Sequence, residues 1–127
     1  MHKDQFLRWY PFDLKWNNID IISFDMKGNL LKIQLKELES DKSVRVIFNN
    51  CTCYQYSQES ARVNTLENDT IAGICYSKNS IYISWIKEES LGIYDDRNLI
   101  HYLIVALDGI FEIICEEDYL PVCEFII

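Results

Sequence analysis

The chain has 127 residues, 20 acidic against 12 basic, and a formal net charge of −8. That length fits one domain, residues 1–127, able to bury roughly two-thirds of the surface its unfolded chain exposes. The apolar content of 49% excludes intrinsic disorder, the acidic excess disfavours nucleic acid as a partner, and no apolar run nears the ~18 residues of a membrane span.

Met1 to Trp16 carries charges throughout and lacks a continuous apolar stretch of signal-peptide length, so a cytoplasmic location is expected. In Ile19 to Asp25 β-branched and aromatic residues dominate. Lys27-Gly28-Asn29 then supplies turn chemistry, and Leu31, Ile33 and Leu35 alternate with Lys32, Gln34 and Lys36. Residues 19–36 therefore predict a hairpin with one solvated face. Ser43 to Phe48 reads as a further strand, extending irregularly through Cys51 to Tyr56.

Ser57 to Leu66 is the one place where a short helix is plausible, with Ser57 as its cap. Ile71–Tyr76 and Ile81–Ile86 flank Ser77-Lys78-Asn79-Ser80 and predict a second hairpin. The third has the clearest turn, Asp108-Gly109 between the apolar runs Leu99–Leu107 and Ile110–Cys115. Leu99, Leu103 and Leu107 also share a helical face, but Ile100, Ile104, Val105, Ile110, Ile113 and Ile114 favour strand. Both faces of 99–107 are apolar, which predicts a central position in the sheet system. Pro121 precedes a terminal strand, Val122–Ile127. The pattern predicts a mainly β domain, an antiparallel sandwich or open barrel of seven to eight short strands with at most one short helix. The alternative is α+β with an antiparallel sheet.

The charge is unevenly spread. Residues 1–56 hold eight Lys and Arg against seven Asp and Glu (+1), whereas residues 57–127 hold four against thirteen (−9). The acidic pairs and triplet Glu88-Glu89, Asp95-Asp96 and Glu116-Glu117-Asp118 fall in the second half. Adjacent carboxylates in polar loops usually face water, whereas glycoside hydrolysis needs two at a fixed separation across a cleft. As a rim they would recognise Lys and Arg on a basic protein partner.

Phe6, Trp9, Tyr10, Phe12 and Trp16 crowd around Pro11. They either cross an open sheet face and complete the core, or form an exposed aromatic patch of Trp9, Tyr10, Phe12 and Trp16. The five cysteines, Cys51, Cys53, Cys75, Cys115 and Cys123, read as packed free thiols of a reducing compartment. Cys51-x-Cys53 on a regular strand would point both sulfurs to one face. No second pair completes a zinc set, so no metal and no cofactor are expected. His101 inside an apolar strand reads as a satisfied structural residue or a surface-facing neighbour.

Several stretches together carry a resemblance: Tyr10-Pro11-Phe12-Asp13-Leu14, Trp16-Asn17-Asn18-Ile19, Glu59-x-x-Arg62, Glu88-Glu89-Ser90-x-Gly92-Ile93, Leu99-Ile100-His101-Tyr102 and Asp108-Gly109-Ile110-x-Glu112-Ile113. The chain resembles small uncharacterised proteins of Bacillus-type bacteria, some encoded near polymorphic toxin genes. The resemblance implies an immunity role and supplies no functional residues. Three functions follow for testing. The first is a protein-binding module, with an immunity-type inhibitor of a basic toxin domain as its specific form. The second is a small-ligand-binding barrel or sandwich with the aromatic-rich N-terminal segment as lid or wall, which needs a preformed apolar cavity of roughly 300 Å³ or more. The third, least favoured, is an enzyme using His101 with a thiol or carboxylate.

Overall fold

A computed structural model describes residues 5–62 and 72–126. Among these residues lie nine strands and one α-helix, besides two short 3-10 turns: β1 Leu7–Arg8, β2 Ile19–Lys27, β3 Leu30–Glu37, β4 Lys42–Phe48, β5 Cys51–Gln58, β6 Ile74–Ser77, α1 Ile81–Glu89, β7 Leu99–Val105, β8 Gly109–Glu116 and β9 Val122–Phe125. They form two open sheets, one in the order β1-β6-β7-β8-β5 and the other β2-β3-β4-β9. Every pairing is antiparallel.

The alternation read in the sequence determines what faces what. Leu31, Ile33 and Leu35 of β3 meet Val44, Val46 and Phe48 of β4 on one buried face of the second sheet. Opposite them lie Ile100, Tyr102 and Ile104 of β7 with Phe111, Ile113 and Cys115 of β8. The two faces close into one core, and Phe48 touches Tyr102 with ring centroids 5.3 Å apart. This is the expected mainly β sandwich, with β7 at the centre of its five-stranded sheet.

The other face of β7 and β8 is also apolar, and α1 covers part of it. Ile83 and Ile86 pack on Leu99 and Ile114 there, while Phe6 packs on Cys75, Leu103 and Ile110 farther along. This explains the main correction to the sequence reading. Ile81–Ile86 alternates like a strand, yet it begins α1, because an exposed apolar sheet face is more effectively buried by a helix than by one more edge strand. The local signal is Ser80, whose Oγ accepts the Ile83 amide at 3.2 Å as an N-cap. The expected second hairpin does not form, and β6 instead pairs with β1 and β7.

Other differences are local. Ser57 and Gln58 complete β5 rather than capping a helix; a 3-10 turn occupies Glu59–Ala61, and 63–66 lie outside the described residues. Ile71 and Ile127 also lie outside them. Cys51–Tyr56 is not an extension of the preceding strand, because at Asn49-Asn50 the chain crosses from one sheet to the other. Asn50 takes φ 52° there, a left-handed turn that its short polar side chain tolerates. Residues 106 and 107 leave the sheet before the Asp108-Gly109 turn.

Both long outer strands are irregular. The register shifts between Ile21 and Ser23 in β2 and between Cys51 and Cys53 in β5. The second shift turns Cys51 toward the core beside Cys115 and Cys53 toward α1 beside Ile114, so the two sulfurs do not share a face.

Candidate functional site

Three features stand out: an acidic cleft, an aromatic cleft beside it, and a buried polar chain beneath α1. β7 starts and β8 ends at the same end of the first sheet, and the Glu117 amide bonds the Asn98 carbonyl at 2.8 Å. This joins the 95–98 turn to the 116–118 turn. Asp96, Glu116 and Asp118 thereby line one cleft of about 260 Å³ with Arg97 and Asn98. Arg97 bonds Glu116 at 2.8 Å and stacks over the Tyr94 ring at 5.1 Å. Asp95, Asp96 and Asp118 are exposed, and none of them forms an ion pair among the described residues. Glu88 and Glu89 are exposed in the last turn of α1 and do not line this cleft.

On the other side of Glu117 a second cleft, about 360 Å³, is walled by Trp9, Tyr76 and Tyr102, with Ile100, Leu120 and Pro121 completing it. Lys78 and Glu117 also line it and bond each other at 2.8 Å. Trp9 and Tyr102 touch, ring centroids 5.7 Å apart and tilted 53°. Burial pushes the Tyr102 phenol well above its usual range, so it stays protonated.

The N-terminal aromatic group does not act as one patch. Trp16 is wholly buried in the core; its amide donates to Glu37 Oε2 at 3.1 Å and its indole to the Pro11 carbonyl at 3.0 Å. Those two bonds hold it at φ 56°, and the exposed patch expected to include Trp16 is corrected accordingly. Tyr10 and Phe12 are exposed. Phe12 stacks on Phe125 of β9 at 4.0 Å, and Trp9 lines the aromatic cleft.

The buried chain runs beneath α1. Ser80 Oγ lies 2.8 Å from His101 Nδ1, His101 Nε2 lies 3.2 Å from Glu112 Oε2, and Arg62 pairs with the other Glu112 oxygen. The rings of Phe6 and Tyr82 pack edge-on against His101, at 5.1 and 5.2 Å. Since the Ile83 amide donates to Ser80 Oγ, the hydroxyl proton is free to point at Nδ1. That pattern assigns the His101 ring proton to Nε2, facing the carboxylate. Burial pushes the Glu112 carboxyl up, but His101 and Arg62 outweigh it and hold the group below the ordinary carboxylate value.

Ser, His and Glu in sequence invite comparison with a nucleophilic triad. Ser80 is wholly buried, however, its oxygen caps α1, and it lines neither the acidic nor the aromatic cleft. As arranged, the hydroxyl holds a helix in place and has no open side for a substrate. Among the described residues no group of three His, Cys, Asp or Glu is placed to hold a metal ion, and no helix is long and apolar enough to cross a membrane. All five cysteines are free thiols.

The sequence reading named Asp96, Glu116, Asp118, Glu117 and Trp9, which line the two clefts, but not Ser80, Glu112, Arg62, Tyr76, Lys78 and Tyr102 as site residues. Glu112 alone left a trace, as the single charge within Ile110–Cys115. No family model, curated protein or solved structure matches the chain.

Proposed function

We propose that the chain is a cytoplasmic protein-binding module of the immunity type, an inhibitor that covers the basic surface of a toxin domain. The observation that carries this reading is the convergence of Asp96, Glu116 and Asp118 on one cleft in which, among the described residues, Arg97 is the only cation. Such a surface attracts Lys and Arg that would otherwise hold phosphate, and speeds their encounter. The charge of −9 on residues 57–127 and the free thiols support the reading, as does the resemblance to small proteins some of which are encoded near toxin genes.

The test is calorimetric titration at low salt against each toxin effector domain encoded next to the gene. One of them is expected to bind, to weaken as salt rises, and, in stopped-flow mixing, to lose about tenfold in association rate with the Asp96→Asn, Asp118→Asn double variant. Absence of binding to every such domain at low salt, or binding indifferent to both aspartates, overturns the proposal.

A second reading, small-ligand binding, has the aromatic cleft in its favour. At about 360 Å³ it exceeds the volume such a role requires, and Trp9 of the N-terminal segment forms one wall as that reading expects.

A further inference from the structure

We infer that the aromatic cleft is a site for an organic cation, a guanidinium or alkylammonium group seated against Trp9, Tyr76 and Tyr102 with its charge toward Glu117. The inference rests on the small-ligand reading and narrows it to one chemical class.

Three observations converge on a cation. The first is the lining. Three electron-rich rings and a carboxylate form the composition that attracts positive charge through ring quadrupoles and Coulomb attraction together. The second is that the cleft already contains an ammonium of its own: Lys78 lines it, its Nζ 2.8 Å from Glu117. The pair is a surface one, its side chains 61% and 39% exposed, and such pairs contribute little. An incoming cation can therefore take over the carboxylate while Lys78 swings into water. The third is what the alternatives would meet. An anion faces Glu117, with Glu116 and Asp118 adjacent in the chain, and the Tyr102 phenol lies beneath. A neutral apolar ligand would leave the Lys78–Glu117 pair intact and be indifferent to both residues.

The same cation can arrive free in solution or as an arginine side chain on a protein. The two sources share the chemistry of the site and differ in what surrounds the charge.

The full chain is titrated at constant ionic strength with choline, with dimethylbutanol (its uncharged isostere), and with a short glycine peptide bearing one central arginine. Binding is read from the indole N–H signal of Trp9 in nitrogen–proton spectra, assigned with Trp9→Phe. Choline or the arginine peptide is expected to shift that signal saturably while dimethylbutanol does not. Tighter binding of choline points to a free cation and tighter binding of the peptide to a partner's side chain; either supports the site.

Glu117→Gln is expected to weaken the cation about fivefold, the upper value of one exposed ion pair, and Lys78→Ala to tighten it. Trp9→Leu, followed by another cleft resonance, is expected to weaken it roughly 2- to 30-fold, the range of one cation–π contact. Dimethylbutanol binding as tightly as choline, unaffected by Glu117 and Lys78, overturns the cation inference and leaves the ligand reading standing. If no probe shifts the cleft, both fall, and the acidic-surface proposal is untouched.

Discussion

Ser80 Oγ sits 2.8 Å from His101 Nδ1 while accepting the Ile83 amide, so a single hydroxyl ties the start of α1 to the central strand of the larger sheet. The chain continues through Glu112 to Arg62, linking α1, β7, β8 and the residue after the 3-10 turn.

Replacing Ser80 with Ala removes a helix cap and strands a buried imidazole nitrogen. The cap is worth about 1 kcal/mol and the unsatisfied polar atom about 1–3, so Ser80→Ala is expected to cost roughly 2–4 kcal/mol in urea denaturation. Ser80→Thr, which keeps the oxygen, should lose much less. A Ser80→Ala loss no greater than that of an exposed serine such as Ser84 would remove the hydroxyl from its assigned role.

Acid should unfold the domain through two identifiable carboxylates. Burial pushes Glu37 up, but hydrogen bonds from the Ser40 and Trp16 amides outweigh it, and the group stays below its ordinary 4.5 as Glu112 does. Groups depressed by folding stabilise the native state fully above their unfolded value, and that stability is lost as pH falls through the folded values. Denaturation midpoints are therefore expected to hold near neutrality and to drop below about pH 4.5, with a shallower drop in Glu37→Gln. An unchanged slope in that variant would show that other groups carry the acid response.

Cys51 and Cys115 are antiparallel register partners. Directly opposed residues have Cα atoms about 4.5–5.5 Å apart, inside the range a disulfide spans. A hydrogen bond from Cys115 lowers the Cys51 thiol below its usual range, and Cys51 also lines a cleft of about 340 Å³ through which an oxidant can approach. Diamide should join Cys51 to Cys115 with the loss of two hydrogens. Burial pushes both Cys75 and Cys123 up to about 11, so both should remain thiols. Peptide mapping that finds a bridge to Cys123 or Cys75 first would contradict this order.

Gly109 begins β8 directly against β5. A Cβ there would overlap the Ser57 carbonyl oxygen and the Tyr56 hydroxyl. Gly109→Ala should therefore force the two strands apart and cost about 1–3 kcal/mol, measured by thermal or urea denaturation, while Asp108→Asn in the same turn should be nearly neutral. Equal effects of the two would mean that the turn, and not the strand contact, requires the glycine.

The hairpins were legible because each combined a period of two with turn residues, as Leu31 to Lys36 after Gly28 and the two runs around Asp108-Gly109 show. The helix was hidden because Ile81, Ile83 and Ile86 suit either a strand or a helix at such short length. Only Ser80 and the apolar second face of β7 separate the two. The aromatic cleft was illegible for another reason. Trp9, Tyr76, Tyr102 and Pro121 come from four separate segments, and strand order brings them together. The acidic cleft was half legible, since Asp96 and Asp118 announce charge but not adjacency.

The four boundary strands of the two sheets bear on how molecules of this protein meet one another at high concentration. β1 and β9 offer only two and four residues, and β2 and β5 are each broken by a register shift. A straight strand from a second molecule finds no long, unbroken run of free amides and carbonyls to bind. Ile22, Phe24, Tyr54 and Tyr56 are exposed along the two longer boundaries, which without those interruptions would seed fibrils. The irregularities that bend the outer strands thus protect the molecule from its own sheets.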